Sequence, residues 1–146
     1  IIPFPINVGR SFYLAPNPIF EQSISAYAEQ HKLLRELSEQ SDCVIVGRCA
    51  DYVLRDRNPF RIFIYADQAS KIKRCMERKP AEEDLNQREM KKKMAEIDRN
   101  RSKYYEFFSE QKWGVRANYD LLLNTTDKDI EKMASAVYAY VKEAFA

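Results

Sequence analysis

Short apolar runs alternate with longer amphipathic segments along this chain, and that alternation restricts the fold more than any other feature. Three runs predict strands, the first of them buried on both faces: Cys43–Val46, Phe60–Tyr65 and Tyr119–Asn124. Between them, apolar residues recur three and four positions apart, as in helices. Strands and helices that alternate in this way form a parallel sheet covered by helices on both faces. We therefore expect a three-layer α/β fold, with residues 1–146 forming a single domain.

The helical segments are predicted from apolar spacing and from capping residues. They cover residues 19–41, 49–56, 67–78, 81–109 and the stretch after Thr126. Asp67 and Thr126 are the expected N-caps of the third and last segments, because their side-chain oxygens can accept a hydrogen bond from a free backbone N–H. Apolar residues are sparse between 81 and Tyr104, so we expect two helices around an exposed middle there, within a lid-like region over residues 81–112. Pro80 is expected to end the helix before it.

Composition excludes several classes of protein. Lys and Arg number 24 against 22 Asp and Glu, a net charge of +2 that does not favour a nucleic-acid partner. No apolar stretch approaches the roughly 18 to 20 residues of a membrane span. None of the three cysteines has a metal-ligand spacing, so no metal site is expected, and Cys43 is interpreted as a small buried residue. With no signal peptide visible, these features predict a cytoplasmic protein.

The first strand ends in Gly47-Arg48, which places an arginine at the carboxyl edge of the predicted sheet. Ligands of open α/β sheets bind outside this edge. A guanidinium group suits phosphate or carboxylate oxygens, which it can contact with two hydrogen bonds, and it stays charged. Asp51 could orient that arginine. The alternative is a surface arginine that pairs with Asp51 or Asp56.

A second group of charges comes from the sequence D-R-N-R on the polar helical stretch. Asp98 and Arg101 are three residues apart and would project from one helix face. The carboxylate could accept from an exocyclic amine while the arginine donates to a phosphate. An ordinary ion pair on a solvated helix remains the alternative. Arg74 and Arg78 are four residues apart, and they form either a cationic stripe facing the same cleft or a solvated face.

Five motifs in this order and spacing resemble the cytidylate kinase-like family of bacterial proteins. They are CVIVGRCAD, IFIYAD with the K-x-K-R-x-M-x-R helix, DRNR, KWG and NYDLLLNT, and the likeness runs from about Phe20 to the C-terminus. The resemblance implies the P-loop fold of the nucleoside monophosphate kinases. It also implies transfer of the γ-phosphoryl group of ATP, with Mg²⁺ on its phosphates, to a nucleotide such as CMP.

The resemblance also implies roles for individual residues. Arg48 matches the arginine that contacts the acceptor nucleotide, and Asp51 lies in the same motif. Asp98 and Arg101 match residues that contact the acceptor from a mobile lid, Arg101 being catalytic as well. Arg74 resembles a catalytic arginine that approaches the ATP phosphates, with Arg78 assigned to the same cofactor. The implied partner is therefore a small nucleotide, with neither nucleic acid nor membrane involved.

One departure from the family concerns the phosphate-binding loop. The chain has three glycines, Gly9, Gly47 and Gly114, so it contains no G-x-x-x-x-G-K-S/T loop. Since it also opens with Ile1 rather than Met, we expect the N-terminal P-loop strand to be missing from this chain. Two alternatives stay open: a regulatory nucleotide-binding module without a donor loop, and a nucleic-acid-binding face over residues 91–101. The net charge and neighbouring acidic residues count against the second of these.

Overall fold

A computed structural model describes residues 18–79 and 85–145. The predicted proline-rich lead-in, apart from Pro18, and the helix end predicted at Pro80 lie outside these residues. In chain order the helices and strands are α1 Pro18–Gln40, α2 Ala50–Val53, β1 Ile62–Tyr65, α3 Gln68–Arg78, α4 Gln87–Ser109, β2 Leu121–Asn124 and α5 Ile130–Ala144. The described part of the chain thus combines five α-helices with a two-stranded sheet.

The two strands of the sheet run parallel, as the alternation of strands and helices predicted. Ile62 lies opposite Leu121, and the register continues to Tyr65 opposite Asn124. The pair is fastened at its start by Arg61, whose guanidinium group donates to Asp120 at 2.9 and 3.1 Å. The carboxyl ends of both strands therefore meet at the same edge, where ligands of parallel sheets bind.

The segment Cys43–Val46 is not the buried strand that its apolar residues predicted. It pairs with no strand among the described residues, and the side chains of Val44 and Val46 are 95% and 89% exposed. Cys43 is exposed as well, so its interpretation as a buried residue was also wrong. Only Ile45 packs against the core. A strand requires backbone partners as well as β-branched side chains, and the described residues offer this segment none.

Residues 87–109 form one helix, not the predicted pair. Asn86 and Glu89 cap its start reciprocally, since each side chain accepts the other residue's backbone N–H at 3.0 Å. No glycine or proline interrupts the sequence that follows, so a sparse apolar face does not break the helix. The lid-like region over residues 81–112 stays a prediction, and residues 81–84 lie outside the described part.

The N-caps of α3 and α5 differ in how well the sequence predicted them. Asp67 caps α3 as expected, because its carboxylate accepts the Ser70 N–H at 2.7 Å. Helix α5 is capped by Asp129 and not by Thr126. The Thr126 hydroxyl instead accepts the backbone N–H of Asp67 at 2.9 Å, and so links the ends of the two strands.

The chain divides into two compact units. The described residues up to Pro59, with Asn100–Trp113, form the first unit. Its core consists of Leu34, Cys49, Ala50, Val53, Leu54 and Tyr105. Phe60–Arg99 and the residues from Gly114 onward form the second unit, which contains the sheet. There Gly114 has a φ of 77°, and a Cβ atom at this position would lie 3.1 Å from the Phe63 ring, so the turn requires glycine.

Candidate functional site

Arg48 occupies a left-handed turn in the first unit. Gly47, Arg48 and Cys49 have successive φ values of 74°, 61° and 54°, and such a conformation costs a non-glycine residue about 1 to 2 kcal/mol. The turn closes through the Ala50 N–H, which donates to the Gly47 carbonyl at 3.2 Å. Cys49 and Ala50 consequently enter the core, whereas Arg48 stays half-buried at the surface. The packing of α2 therefore fixes the backbone position from which the Arg48 side chain extends.

The positive charge of Arg48 acts on the phenol of Tyr104 on α4. Burial raises the pKa of the Tyr104 phenol to about 12, the Cys49 thiol contributes in the same direction, and the positive charge of Arg48 opposes both. Tyr104 is three residues after Arg101, so these two side chains share a face of α4. Arg101 itself is exposed. Arg48 therefore acts on Tyr104 through its charge, and Arg101 shares a helix face with that tyrosine.

Asp51 is anchored by a buried tyrosine. The Tyr105 hydroxyl donates to Asp51 Oδ2 at 2.7 Å and lies 3.0 Å from Gln111 Oε1, while the tyrosine itself is 6% exposed. From the sequence, Asp51 was expected to orient Arg48, and its contact with Tyr105 was not predicted. A buried tyrosine usually forms a hydrogen bond through its hydroxyl group. The presence of Tyr105 in a charged helix was therefore the sequence feature that could have indicated a polar partner.

Arg74 is held at the carboxyl edge of the sheet in the second unit. Its guanidinium group donates to the Thr125 carbonyl at 2.9 Å and to the Thr125 hydroxyl at 3.3 Å. Thr125 directly follows β2 and is 3% exposed. One turn earlier on α3, the Ser70 hydroxyl lies 3.2 Å from the Asp127 carboxylate. The strand ends therefore carry a cation in a fixed position, surrounded by hydroxyl and carboxylate groups.

Two further predicted residues belong to the second unit. Asp98 on α4 accepts a hydrogen bond from the Lys71 ammonium group at 2.7 Å, and each side chain is about one-third exposed. Arg78 is exposed in the last turn of α3, four residues after Arg74. Arg74 and Arg78 lie on one helix, as predicted. Of these two arginines, only Arg74 contacts the strand ends within the described residues.

The described residues differ in how well they suit each predicted ligand. Their arginines suit an anion, but they include no cluster of three or more metal-binding side chains. Gly47 and Gly114 each belong to a single turn, so the described residues form no glycine-rich backbone cradle for ATP phosphates. A groove of about 380 Å³ against α3 contains none of the predicted site residues. The described residues therefore offer cations to an anionic ligand and no backbone cradle for phosphates.

Comparison with known proteins decides the family. Residues 10–127 match the cytidylate kinase-like family. The chain belongs to that family. It also resembles the crystal structure of an uncharacterized protein from Eubacterium ventriosum, with 30% sequence identity and a TM-score of 0.72. The likeness covers 80% of this chain and 65% of that protein, so the chain spans less than two-thirds of its length. No curated protein matches the chain.

Membership of the cytidylate kinase-like family confirms the resemblance predicted from the motifs and supports a kinase-like function. The predicted residues fall into both compact units: Arg48, Asp51 and Arg101 in the first, and Arg74, Arg78 and Asp98 in the second. Sequence analysis missed three contact partners, Lys71, Tyr105 and Thr125. Within the described residues, no helix is both long and apolar enough to cross a membrane.

Proposed function

We propose that this cytidylate kinase-like protein is a phosphotransferase that moves the γ-phosphoryl group of ATP to CMP or a similar nucleoside monophosphate. The proposal includes the three-layer P-loop fold of the nucleoside monophosphate kinases, of which the parallel pair β1 and β2 would form part. Family membership supports the reaction class, and the arginines of this chain support a phosphorylated acceptor. Phosphoryl transfer depends mainly on positioning and charge neutralisation, which arginines provide.

Two observations support the acceptor site: the positive charge of Arg48 acts on Tyr104, and Arg101 lies one turn before that tyrosine on the same face of α4. Two guanidinium groups can contact the two negative charges of a phosphate monoester from different directions. The left-handed turn at Arg48 fixes the backbone position of this arginine in the folded protein, before a ligand binds. Such preorganisation lowers the cost of binding.

Asp98 supplies the complementary contact in this proposal. Its carboxylate can accept from the exocyclic amine of a base such as cytosine, while Arg101, three residues further along α4, donates to the phosphate. Asp51, anchored by Tyr105, adds a second carboxylate on the acceptor side. This division of roles favours an acceptor base with an amine over one with a carbonyl group at the same position.

We assign Arg74 and Arg78 to the side of the ATP phosphates. Arg74 suits this role because Thr125 holds it at the edge of the sheet where ligands of parallel sheets bind. ATP with Mg²⁺ would supply the phosphoryl group when bound. Among the described residues, cations face that side and no backbone cradle is formed, so the assignment is restricted to charge neutralisation.

The experiment is a phosphoryl-transfer assay on the full-length product of the gene and on this segment, with ATP and a panel of nucleoside monophosphates. Charge-assisted hydrogen bonds contribute about 1.5 to 3 kcal/mol, so Arg48→Ala and Arg101→Ala should each lower kcat/KM by roughly 10- to 100-fold. Arg99→Ala, which removes a neighbouring arginine from the same helix, is the matched control. Parental activity in both arginine variants would contradict the proposed site.

A second candidate is a nucleotide-sensing module that binds the monophosphate without transferring phosphate. It is favoured by one observation, the lack of a G-x-x-x-x-G-K-S/T loop in the 146 residues. The two candidates differ in one result. A full-length product that binds CMP but transfers no phosphate from ATP would support the sensing module.

A further inference from the structure

The ion pair between Lys71 and Asp98 joins two helices within the second unit. Lys71 is in the first half of α3, and Asp98 is 27 residues later on α4. The contact is therefore not the neighbour pairing within one helix that commonly decorates helix surfaces. At 2.7 Å the ammonium group is at the short end of charge-assisted hydrogen bonds, although about one-third of each side chain is exposed.

Lys71 lies on the part of α3 that also holds the strand ends. One turn later on the same helix, Arg74 binds Thr125 at the end of β2. Just before Lys71, Ser70 contacts Asp127. Because α3 is fixed to the sheet by these contacts, a lysine on it provides a fixed point for the carboxylate of Asp98.

The pairing engages only one side of the carboxylate. Lys71 contacts Oδ2, and no hydrogen bond joins Oδ1 of Asp98 to another described residue. An ionised carboxylate has about four acceptor positions, so Oδ1 can still receive an N–H from a ligand while Lys71 holds Oδ2. If Lys71 instead blocked ligand binding to Asp98, it would be expected to contact both carboxylate oxygens.

We propose that Lys71 is a positioning residue that holds Asp98 ready to accept the exocyclic amine of the acceptor base. This inference rests on the proposed function, since it deepens the role of Asp98 in that site. Without Lys71 the carboxylate would have to be ordered when the nucleotide binds, which costs affinity. The effect should be confined to acceptors that donate to Asp98, so Lys71 would act as a determinant of base specificity.

The test measures affinity for CMP and UMP by calorimetry, because UMP carries a carbonyl group where CMP carries the amine. Lys71→Met should weaken CMP binding about three- to tenfold and leave UMP binding unchanged or tighter, so that the preference for CMP falls. Lys71→Arg keeps the cation and should restore the preference. Lys73→Met removes the same charge from an exposed position on the same helix and should behave like the parent.

A double-mutant cycle separates positioning from a general effect on folding. In an Asp98→Asn background, Lys71→Met should cause no further loss of preference. An unchanged ratio of CMP to UMP affinity in Lys71→Met would overturn the proposal, and so would tighter CMP binding, which would identify a blocking contact. Lys71→Gln repeats the test if the methionine variant folds poorly. A parent protein that binds neither nucleotide would refute the proposed function itself, and the role of Lys71 with it.

Discussion

The hydrogen bond from Tyr105 to Asp51 gives the sharpest prediction about the first unit. Replacing Tyr105 with Phe removes the hydroxyl that donates to Oδ2 at 2.7 Å and keeps the ring in the core. Hydrogen bonds to ionised groups contribute about 1.5 to 3 kcal/mol. Asp51 is half-buried but still accessible to water, which can partly replace the lost donor, so we expect the lower end of this range, a loss of about 1.5 kcal/mol.

Urea unfolding followed by the fluorescence of Trp113 measures this loss. Trp113 is the single tryptophan of the chain and packs against the core that contains Tyr105. Tyr104→Phe is the matched control, because the hydroxyl of Tyr104 is 3.4 Å from its partner on Gln30, a distance at which little energy is gained. If Tyr105→Phe and Tyr104→Phe lowered the free energy of unfolding equally, the assigned role of the Asp51 contact would be wrong.

Three other predictions concern capping, thiol reactivity and pH. Asn86→Ala should cost about 1 kcal/mol of unfolding free energy through loss of the cap shared with Glu89, as measured by urea denaturation, and an unchanged midpoint would contradict it. In native protein a thiol reagent should label exposed Cys43 rapidly and spare Cys49, whose pKa burial raises to about 12; equal rates would refute the assigned burial. Folding raises the pKa values of Cys49 and Tyr104, so the folded protein favours their protonated forms. The resulting stabilisation is complete below pH 9 and is lost as the pH rises towards 12. The urea midpoint should therefore fall across that window, and it should fall less steeply in Tyr104→Phe.

Local patterns predicted the elements that depend on nearby residues. The spacing of apolar residues identified α1 and α5, and Asp67 marked the start of α3 through a cap that reaches only three residues ahead. These features are set by backbone geometry within a few residues, so they can be read along the chain.

Features that depend on distant partners were not predictable in the same way. The apolar run at Val44 and Val46 looked like a buried strand, but burial requires a neighbouring strand that the described residues do not provide. Thr126 had the right side chain for an N-cap, yet its hydroxyl accepts from Asp67, which is 59 residues away. The partner of Asp98 is likewise distant, so sequence spacing could suggest a ligand contact for it but could not identify Lys71.

The candidate site was partly predictable because arginines in a sequence already indicate an anion. Arg48 and Arg101 were chosen from their positions after a glycine and within D-R-N-R, and their role in binding an anion stays a prediction. The anchoring of Arg74 by Thr125 required coordinates, since it joins residues 51 positions apart. Chemistry can therefore be inferred from residue type, whereas positioning depends on tertiary contacts.

Calorimetric titration of CMP and cytidine tests the central claim most directly, because the two ligands differ only by the phosphate group. Arginines that hold this phosphate predict that the parent binds CMP much more tightly than cytidine. Arg48→Ala and Arg101→Ala should remove most of that difference and change cytidine binding little. Equal affinities of the parent for CMP and cytidine, or a difference that persists in both variants, would contradict an anion site built from these arginines.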